Sequence, residues 1–481
     1  METIAIIGGG FCGSLSAVNL ARLAERPLRV VLINSGRPLG RGIAYGTNRP
    51  EHLLNVAARN MSALPALPDH FLDWLRTRAD YADVPESQLR ETFAPRRVYG
   101  DYVRGLLFSC LNPIDSRQRV RVEAVEDEVI DLADANDGGL TVSLKSGGSL
   151  IADKVLLATG NQTPGGFPGS EEALRHPAYR ASPWGDWSSK LPGDDETIVV
   201  LGTGLSMVDV FLTLNELDWH GKIVAISRNG KFPQSHFRGI DYPDFLPEKP
   251  EELGLEKLAA LLEAHCRRLY RLGGNPGIVV DRLRPHTQRI WRNFTLEEKR
   301  EFLRTYATRW NVVRHRIAQP IHQLMTEAIA DGRIRSVRGT IERLTVEGDR
   351  LRAVVWDSEE EVTVEGALVI NCTGPRSGCS EIEQPLYRNL LEHGLIRSDE
   401  MNMGLEVAPD FAVLGGDGGT SRNLYAIGPL MKGSLWETIA VPELRGQARR
   451  VAEAMLGDAD RSEGRDLRMS IEEEHVVEYY I

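Results

Sequence analysis

The chain has 481 residues, 42% of them hydrophobic and 26% charged, and a formal net charge of −11. This composition is typical of a globular protein with two or three domains, and the negative charge argues against a general nucleic-acid partner. No apolar run reaches the length of a membrane span and no secretory leader is recognisable, so we expect a cytoplasmic protein without a membrane partner.

The cysteines are scattered, and the sequence contains no CxxC or HExxH motif. They are Cys12, Cys110, Cys266, Cys372 and Cys379. This unpaired set favours a reducing compartment and predicts no metal site. It also argues against a disulfide reductase, which needs a close redox-active pair.

A glycine-rich loop follows the first predicted strand. The apolar run from Ile4 to Ile7 indicates a buried parallel strand, and Gly8, Gly10 and Gly13 then give the spacing GxGxxG before a predicted helix. A second apolar run, LRVVLI, completes a βαβ unit. In such units the glycines allow a tight turn and the approach of a pyrophosphate to the helix N-terminus. The loop therefore predicts a dinucleotide site.

The strand after this helix ends in Asn34 and Ser35. Dinucleotide-binding units usually carry an Asp or Glu there, which binds a ribose hydroxyl. Because an Asn side chain also accepts hydrogen bonds, we expect Asn34 to contact the cofactor in place of the acid.

A second strand and glycine loop, IVVLGTGLSMVDV, lies near the middle of the chain. Gly202 and Gly204 keep the spacing, and Met207 stands where the third glycine would be. Ser206 lies at the start of the following helix and is a further candidate for cofactor binding. The chain therefore has two candidate dinucleotide loops.

The strand after the second loop ends in Ser227 and Arg228 instead of an acid. Arginine can pair with a 2′-phosphate, which an acidic residue would repel. We therefore expect NADPH rather than NADH at this loop, with Ser227 and Arg228 among its contacts. The alternative is an ordinary exposed arginine at a strand end.

The chain from about 245 to 325 is rich in arginine and in helix-forming residues. Leu258, Leu261 and Leu262 fall on one helical face, which predicts a packed helix. We interpret this segment as a helical insertion that covers the active site.

Three consecutive residues of the insertion are candidates for binding an anionic substrate or a cofactor phosphate: Arg314, His315 and Arg316. The alternative for each of them is a solvated, salt-bridged helix face.

Each glycine loop is followed by three short strands with turn signals and a strand that ends in TG. These strands end at Gly160 and Gly374, which we count among the cofactor-binding residues. This duplication predicts an α/β fold with two Rossmann-like dinucleotide-binding domains, three-stranded β-meanders and a helical insertion. Two loops imply two dinucleotides, FAD and NADPH. We expect residues 1–190 and 377–481 to form the FAD-binding domain and residues 191–376 the NADPH-binding domain.

At this point the sequence resembles the two-dinucleotide-binding-domain flavoproteins, and within them a bacterial FAD/NAD(P)-binding family related to class B flavin monooxygenases and N-hydroxylating monooxygenases. The matching stretches are GRGIAYGT, EHLLNVAARNMSA, RRVYGDYV, VLLATGN, FLRTYATRWNVVRHRIAQP and LYAIGPLMKGSLWETIAVPELRGQA.

The resemblance implies contacts to FAD. Gly8, Gly10 and Gly13 would hold the pyrophosphate. The residues expected to line the flavin or its ribityl chain are Arg41, Tyr45 and Asn55. The backbone of Val125 would touch the adenine, and Gly428 and the helix near Trp436 would approach the flavin. The alternative for the stretch WETIAVPELRGQA is plain amphipathic packing.

The resemblance implies an FAD-dependent, NADPH-using oxidoreductase, and it favours a monooxygenase that acts on a small molecule with O2. The expected substrate is an amine or another soft nucleophile, oxidised through a flavin hydroperoxide. Phe167, Gly169 and His176 resemble a flavin monooxygenase signature with a longer spacing, although an interdomain linker would look the same. The alternatives are a reductase or dehydrogenase without oxygen insertion and a non-catalytic flavin or nucleotide sensor. The sequence indicates no oligomeric state.

Overall fold

The computed structural model of the chain describes residues 1–36, 38–111, 119–136, 138–237, 242–357, 360–376, 378, 382 and 384–457. The strands are, in chain order, β1 (Glu2–Ile7), β2 (Leu28–Asn34), β3 (Val120–Glu126), β4 (Val129–Asp134), β5 (Leu140–Leu144), β6 (Ser149–Ala152), β7 (Lys154–Leu157), β8 (Tyr179–Arg180), β9 (Thr197–Leu201), β10 (Lys222–Ser227), β11 (Ile334–Arg338), β12 (Thr340–Glu347), β13 (Arg350–Asp357), β14 (Glu360–Gly366), β15 (Leu368–Asn371), β16 (Ala412–Leu414) and β17 (Thr420–Ala426).

The helices are α1 (Phe11–Leu23), α2 (His70–Arg76), α3 (Glu86–Arg90), α4 (Arg96–Leu111), α5 (Glu171–Arg175), α6 (Leu205–Glu216), α7 (Gly254–Arg271), α8 (Gly277–Leu283), α9 (Thr287–Asn293), α10 (Leu296–Thr305), α11 (Ala307–Arg314), α12 (Gln319–Ala330), α13 (Pro385–Glu392), α14 (Lys432–Leu435) and α15 (Val441–Leu456). Short 3₁₀ turns lie at Ala58–Asn60, Pro250–Glu252, Arg284–His286 and Gly428–Met431.

The first sheet has the strand order β16-β17-β7-β1-β2-β3. Its central strands are parallel, and Ile4 of β1 pairs with Val30 of β2 on one side and with Lys154 of β7 on the other. The apolar runs of β1 and β2 are buried because sheet faces of this kind are covered by helices, and α1 packs between α4 and α15. Since β16 and β17 follow β8 to β15 in the chain, strands from before and after that stretch build this sheet.

The second sheet is parallel and has the order β11-β10-β9-β15-β8. Each sheet is accompanied by an antiparallel three-stranded meander, β4-β5-β6 for the first and β12-β13-β14 for the second. Both predicted strand–loop–helix motifs, β1–α1 and β9–α6, are therefore present with their meanders. We call the first sheet with its helices, loops and meander the first unit, and the second sheet with its helices, loops and meander the second unit. This architecture confirms the predicted fold class.

The chain enters the second sheet before residue 190, the first predicted domain boundary. Strand β8 pairs with β15 of the second sheet, and Ala173 and Tyr179 pack in the core of that sheet. The segment from Glu171 to Arg180 therefore packs with the second unit, although the predicted boundary at 190 assigned it to the first. The second predicted junction, residue 377, lies outside the described residues, and the domain limits stay a prediction.

Helices α7 to α11 form the predicted helical insertion between β10 and α12. Leu258, Trp291 and Trp310 belong to its apolar core, which also contains Trp436 from the C-terminal part of the chain. The insertion therefore packs on the first unit, and it contacts the second through the Thr308 hydroxyl, which accepts from the side-chain amide of Asn229 at 3.2 Å. In the ranges that the structure describes, no helix is long and apolar enough to cross a membrane.

A buried polar contact joins the first unit to helix α6. Arg96 donates to a carboxylate oxygen of Asp209 at 2.8 Å, and both side chains are buried. Beside them, His52 lies 3.0 Å from the Thr213 hydroxyl through Nε2. Burial raises the pKa of the Asp209 carboxyl and lowers that of the His52 imidazole. This contact fixes the second glycine loop, which begins α6, relative to the first unit.

Candidate active site

The first glycine loop needs glycine for steric reasons at two positions. Gly8 has a φ of +110°, and a Cβ there would collide with the carbonyl oxygen of Ala158 at the end of β7. A Cβ on Gly13 would collide with the carbonyl oxygen of Gly8. Gly10 precedes α1 without a side-chain cap, so the first N–H groups of the helix are open to an anion.

The second loop repeats this geometry. Gly202 has a φ of +108°, and a Cβ there would collide with the carbonyl oxygen of Cys372 at the end of β15. Gly204 precedes α6, again without a side-chain cap. Just beyond the two strand ends, Gly160 and Gly374 have φ values of +72° and +93°. The duplication therefore extends to the backbone conformation of the loops.

The polar residues at the ends of the second strands are bonded to the loops. The backbone N–H of Gly9 donates to the side-chain oxygen of Asn34 at 3.0 Å. The Ser227 hydroxyl accepts from the Thr203 hydroxyl at 2.9 Å and from the N–H of Gly230 at 3.1 Å. In both units this residue fixes the glycine loop to the neighbouring strand, a role that the sequence prediction did not include.

A cavity of about 730 Å³ lies between the two units and the helical insertion. Its lining contains many of the predicted site residues: Gly160, Gly202, Gly204, Ser206, Ser227, Arg228, His315, Gly374 and Trp436. It also contains charged residues that sequence reasoning missed: Lys231, Arg376, Lys432 and Glu437. The cavity runs from the second glycine loop to the segment 429–439 of the first unit.

Residues predicted to contact the flavin are found around the first loop. Arg41 forms an ion pair with Asp101 of α4. The ring of Tyr45 packs edge-on against Phe11 at 5.8 Å and against Tyr99 at 4.7 Å.

The other predicted FAD contacts have the following surroundings. The carbonyl oxygen of Asn55 accepts from Nε2 of His236 at 2.9 Å, and Val125 of β3 pairs with Ile33 of β2. Gly428 has a φ of +81°, and a Cβ there would press on the thiol of Cys12. Their contacts with a cofactor stay predictions.

The segment after Gly428 has a strained turn at Trp436. Trp436 has φ and ψ of +59° and −73°, and the N–H of Glu437 donates to the carbonyl oxygen of Leu435 at 2.8 Å. This is a γ-turn of the rare, strained kind, and such conformations are found mainly at functional sites. The Trp436 ring stacks on Trp291 of the helical insertion at 5.1 Å.

The residues present fit a flavin at this end of the cavity. Helix α15 begins at Val441 without a side-chain cap, so its N-terminal N–H groups can stabilise negative charge on a reduced ring. The preceding Ile439 is 48% exposed although its neighbour Thr438 is fully buried, and it lines the cavity. An exposed aliphatic side chain beside a helix N-terminus suits a flat aromatic ring with a polar edge.

The structure separates the three candidate substrate residues. Arg314 is buried and lies 3.4 Å from a carboxylate oxygen of Glu437 and 3.7 Å from one of Glu443. Arg316 is also buried, forms an ion pair with Asp281 and lies over the ring of Phe237. Both arginines therefore form ion pairs in the interior, where the alternative interpretation expected a solvated face.

His315 is the member of this triplet that lines the cavity. Its Nδ1 lies 3.1 Å from the carbonyl oxygen of Asn311 and must donate to it, which leaves Nε2 as an acceptor. Burial and the adjacent Arg314 lower the pKa of His315 to about 4, so the imidazole is neutral at pH 7. A contact between His315 and a substrate stays a prediction.

Comparison with known proteins agrees with this geometry. Residues 5–162 match the model of a family described as FAD-NAD(P)-binding. The match contains the first glycine loop and confirms the predicted class of cofactor and the predicted resemblance. No curated protein sequence matches the chain.

Several solved structures are similar over nearly the whole chain. The L-lysine 6-monooxygenase of Pseudomonas syringae has a TM-score of 0.65 at 18% identity, over 95% of this chain and 100% of that chain. The ornithine N-hydroxylase of Kutzneria sp. 744, solved with reduced FAD, NADP⁺ and L-ornithine, has a TM-score of 0.62 at 14% identity, over 96% and 100%. The cadaverine monooxygenase of Erwinia amylovora, solved with FAD, has a TM-score of 0.60 at 13% identity, over 94% of both chains. At these identities the similarity shows a shared fold.

Proposed function

We propose that this protein is an FAD- and NADPH-dependent monooxygenase that hydroxylates an amine or another soft nucleophile of a small molecule. The observation that carries the proposal is the shared cavity, which is lined by the second glycine loop and by segment 429–439 of the first unit. A nicotinamide held at one end and a flavin held at the other would meet inside it, and this alignment is what hydride transfer requires.

The balanced reaction for an amine is R–NH2 + O2 + NADPH + H⁺ → R–NHOH + NADP⁺ + H2O. Bound FAD would supply the hydride acceptor and the site of oxygen activation. The chain's own residues have supporting roles. The first loop and α1 would hold the pyrophosphate, the α15 N-terminus would stabilise negative charge on the reduced flavin, and Trp436 and Ile439 would keep water from its ring.

The comparisons support a monooxygenase over the alternative of a reductase without oxygen insertion. Three similar structures over nearly the whole chain are N-hydroxylating or amine monooxygenases by their names. The cofactor preference rests on Arg228, which is exposed at the cavity rim next to the second loop. A cytoplasmic location stays a prediction.

The test separates the three functions on the purified protein. Flavin absorbance measures bound FAD, and anaerobic bleaching by NADPH distinguishes an enzyme from a sensor. Admitting oxygen in the presence of an amine panel then distinguishes a monooxygenase, which forms a product heavier by one oxygen atom, from a reductase. Peroxide release in amounts equal to the NADPH consumed, with every amine unchanged, would contradict oxygen insertion.

A loop variant gives the matched control. In Gly202→Ala the new Cβ would collide with the end of β15, whereas the first loop is unchanged. We expect this variant to retain FAD and to be reduced by dithionite, but to lose bleaching by NADPH. Loss of FAD in this variant would contradict the assignment of separate cofactors to the two loops.

A further inference from the structure

Helix α6, which begins at the second glycine loop, is joined to the first unit by one buried arginine. The Arg96 guanidinium donates to the Asp209 carboxylate on α6 at 2.8 Å and to the carbonyl oxygen of Leu53 at 2.9 Å. The backbone N–H of Arg96 also donates to the carbonyl oxygen of His52 at 2.8 Å. The charged side chains of Arg96 and Asp209 are 10% and 6% exposed. Arg96 therefore bridges α6 and segment 52–55 of the first unit.

A second contact joins the same two elements one helical turn farther along α6. Nε2 of His52 lies 3.0 Å from the Thr213 hydroxyl and 3.2 Å from the carbonyl oxygen of Asp209. Nδ1 of the same ring lies 3.0 Å from the Thr47 hydroxyl, which holds the imidazole on the side of the first unit. Asp209 and Thr213 are four positions apart, so they lie on one face of α6. Two directed contacts on one face oppose both rotation and sliding of the helix.

Orientation explains the buried charge pair better than stability does. Helix α6 contributes Val208 and Phe211 to an apolar core against which Leu53 and Phe93 of the first unit pack. The two units are therefore already in apolar contact at this place. Apolar contact is non-directional, and replacement of a buried ion pair by well-packed apolar residues is often neutral or stabilising. What the charge pair adds is a fixed distance and direction between α6 and the first unit.

The position of α6 relative to segment 52–55 determines how the two cofactors would meet. The second loop and the α6 N-terminus are the expected site of NADPH, and Asn55 at the end of the segment is an expected flavin contact. Neither Arg96 nor Asp209 lines the cavity, so neither is placed to bind a cofactor. We infer that Arg96 and Asp209 are positioning residues for hydride transfer from NADPH to FAD. This inference rests on the proposed function, and the step that it concerns is NADPH + FAD + H⁺ → NADP⁺ + FADH2.

The test is anaerobic reduction of the FAD-loaded protein by NADPH, followed by stopped-flow absorbance. Its dependence on NADPH concentration separates the limiting rate constant of reduction from the dissociation constant of NADPH. The main variant combines Arg96→Met with Asp209→Leu, which removes both charges and leaves apolar side chains, so the denaturation midpoint should be kept. We expect the limiting rate constant to fall by about 10-fold or more, because small displacements of reacting groups are costly. The dissociation constant should change by less than about 2-fold, since neither residue contacts the nucleotide.

Two further variants make the result independent of this double substitution. Asp209→Glu keeps both charges but lengthens the contact by one methylene group, and it should lower the rate constant by about 3-fold or more. The matched control is Arg333→Met. Arg333 donates to the Asn215 side chain of α6 at 3.2 Å and to the carbonyl oxygen of Trp219 at 2.6 Å, all within the second unit. Its removal takes an arginine from α6 without changing the contact with the first unit, so the rate constant should stay within about 2-fold of the wild type.

A second readout follows the placement of the cofactors without turnover. Addition of NADP⁺ to the oxidised protein should change the visible circular dichroism of FAD, to an extent that depends on how the nicotinamide and flavin rings lie relative to each other. At saturating NADP⁺ the double variant should give a different spectrum from the wild type, and Arg333→Met should give the same spectrum as the wild type.

Four outcomes would overturn the inference. The first two are an unchanged rate constant in the folded double variant and identical saturated spectra for this variant and the wild type. The third is a higher NADPH dissociation constant with an unchanged rate constant, which would assign the pair to nucleotide binding, and the fourth is an equal loss of rate in Arg333→Met. If the double variant does not fold, a wild-type rate constant in Asp209→Glu overturns the inference as well. Failure of the proposed function is distinct, because it would appear as a wild-type protein that NADPH does not bleach or that forms no oxygenated product.

Discussion

Arg228 occupies the position at which the cofactor preference can be tested with a single side chain. It follows β10 directly, is exposed, and lines the cavity beside Ser227, which is bonded to the second loop. Arg228→Ala should weaken NADPH binding by about 10-fold or more, since the 2′-phosphate would lose its charged hydrogen-bond partner. NADH binding should change by less than about 2-fold because NADH lacks the 2′-phosphate. Steady-state reduction of the flavin by each nucleotide measures both values.

The control for this change is Arg335→Ala. Arg335 is exposed on the adjacent strand β11 and is absent from the cavity lining, so its removal alters the net charge equally. It should leave the ratio of NADPH to NADH affinity unchanged. Equal ratios in the two variants would show that Arg228 does not bind the 2′-phosphate.

The position of a single residue could be predicted from the sequence where the residues around it in space are also close to it in the chain. Gly202, Ser227 and Arg228 lie within one βαβ unit, and the pattern of that unit determines their positions. Arg314 and Arg316 were harder because their partners lie elsewhere in the chain. The bond from Trp310 to Glu437, next to the Arg314 ion pair, spans 127 positions, and no periodicity in the sequence indicates such a contact.

The helical insertion is the element whose attachment can be tested most directly. Its α8–α9 junction is joined to α15 by the Arg284–Glu443 pair, whose side chains are 1% and 12% exposed. Glu443→Gln should lower the free energy of unfolding by about 3 kcal/mol or more, because it leaves a buried guanidinium without its counter-charge. Chemical denaturation followed by tryptophan fluorescence measures this, since Trp291, Trp310 and Trp436 lie in the affected core.

The matched control is Glu301→Gln on α10. Glu301 pairs with Arg304, which is 77% exposed, so its removal should cost less than about 1 kcal/mol. If both variants lost the same stability, the insertion would not be held by the buried pair.

The elements themselves were largely predictable, and their packing was not. The spacing of Leu258 and Leu262 predicted helix α7, and both residues pack in the core of the insertion. The same core contains Trp436, for which the sequence offered either a position near the flavin or plain packing, without a partner for the packing. A helical period shows which face is apolar, but it does not show which distant segment covers that face.

At the scale of the whole molecule, two histidines lie where the two units meet, His52 buried and His236 half-buried. His236 joins the second unit to the first through its bond to the Asn55 carbonyl, and its ring lies 5.1 Å from Phe93. Burial, reinforced by Arg316, lowers the pKa of His236 to about 3. His52, at the contact with α6, also has a lowered pKa because of burial. Protonation of either imidazole is therefore disfavoured while the two units remain in contact.

The sign of the resulting pH dependence follows from proton binding. An unfolded chain protonates a histidine near pH 6.5, whereas folded His236 does so only near pH 3, so below pH 6.5 the unfolded state binds more protons. The stabilisation is complete above pH 6.5 and is lost as the pH falls. His236 alone should remove about 2 kcal/mol between pH 7 and pH 5. Denaturation curves at pH 7, 6 and 5 measure the total loss.

A substitution without a titrating group isolates the contribution of His236. In His236→Gln the side-chain amide can still donate to Asn55 but takes up no proton, so the variant should be similar to or slightly less stable than the wild type at pH 7. At pH 5 it should be more stable than the wild type, by about 2 kcal/mol less any loss at pH 7.

His220→Gln, at a site where the imidazole is 62% exposed, should follow the wild-type curve at every pH. Parallel curves for the wild type and His236→Gln would mean that the contact between the two units is insensitive to protonation of this residue. Acid would then have to act on the molecule elsewhere, with His52 at the α6 contact as the next site to substitute.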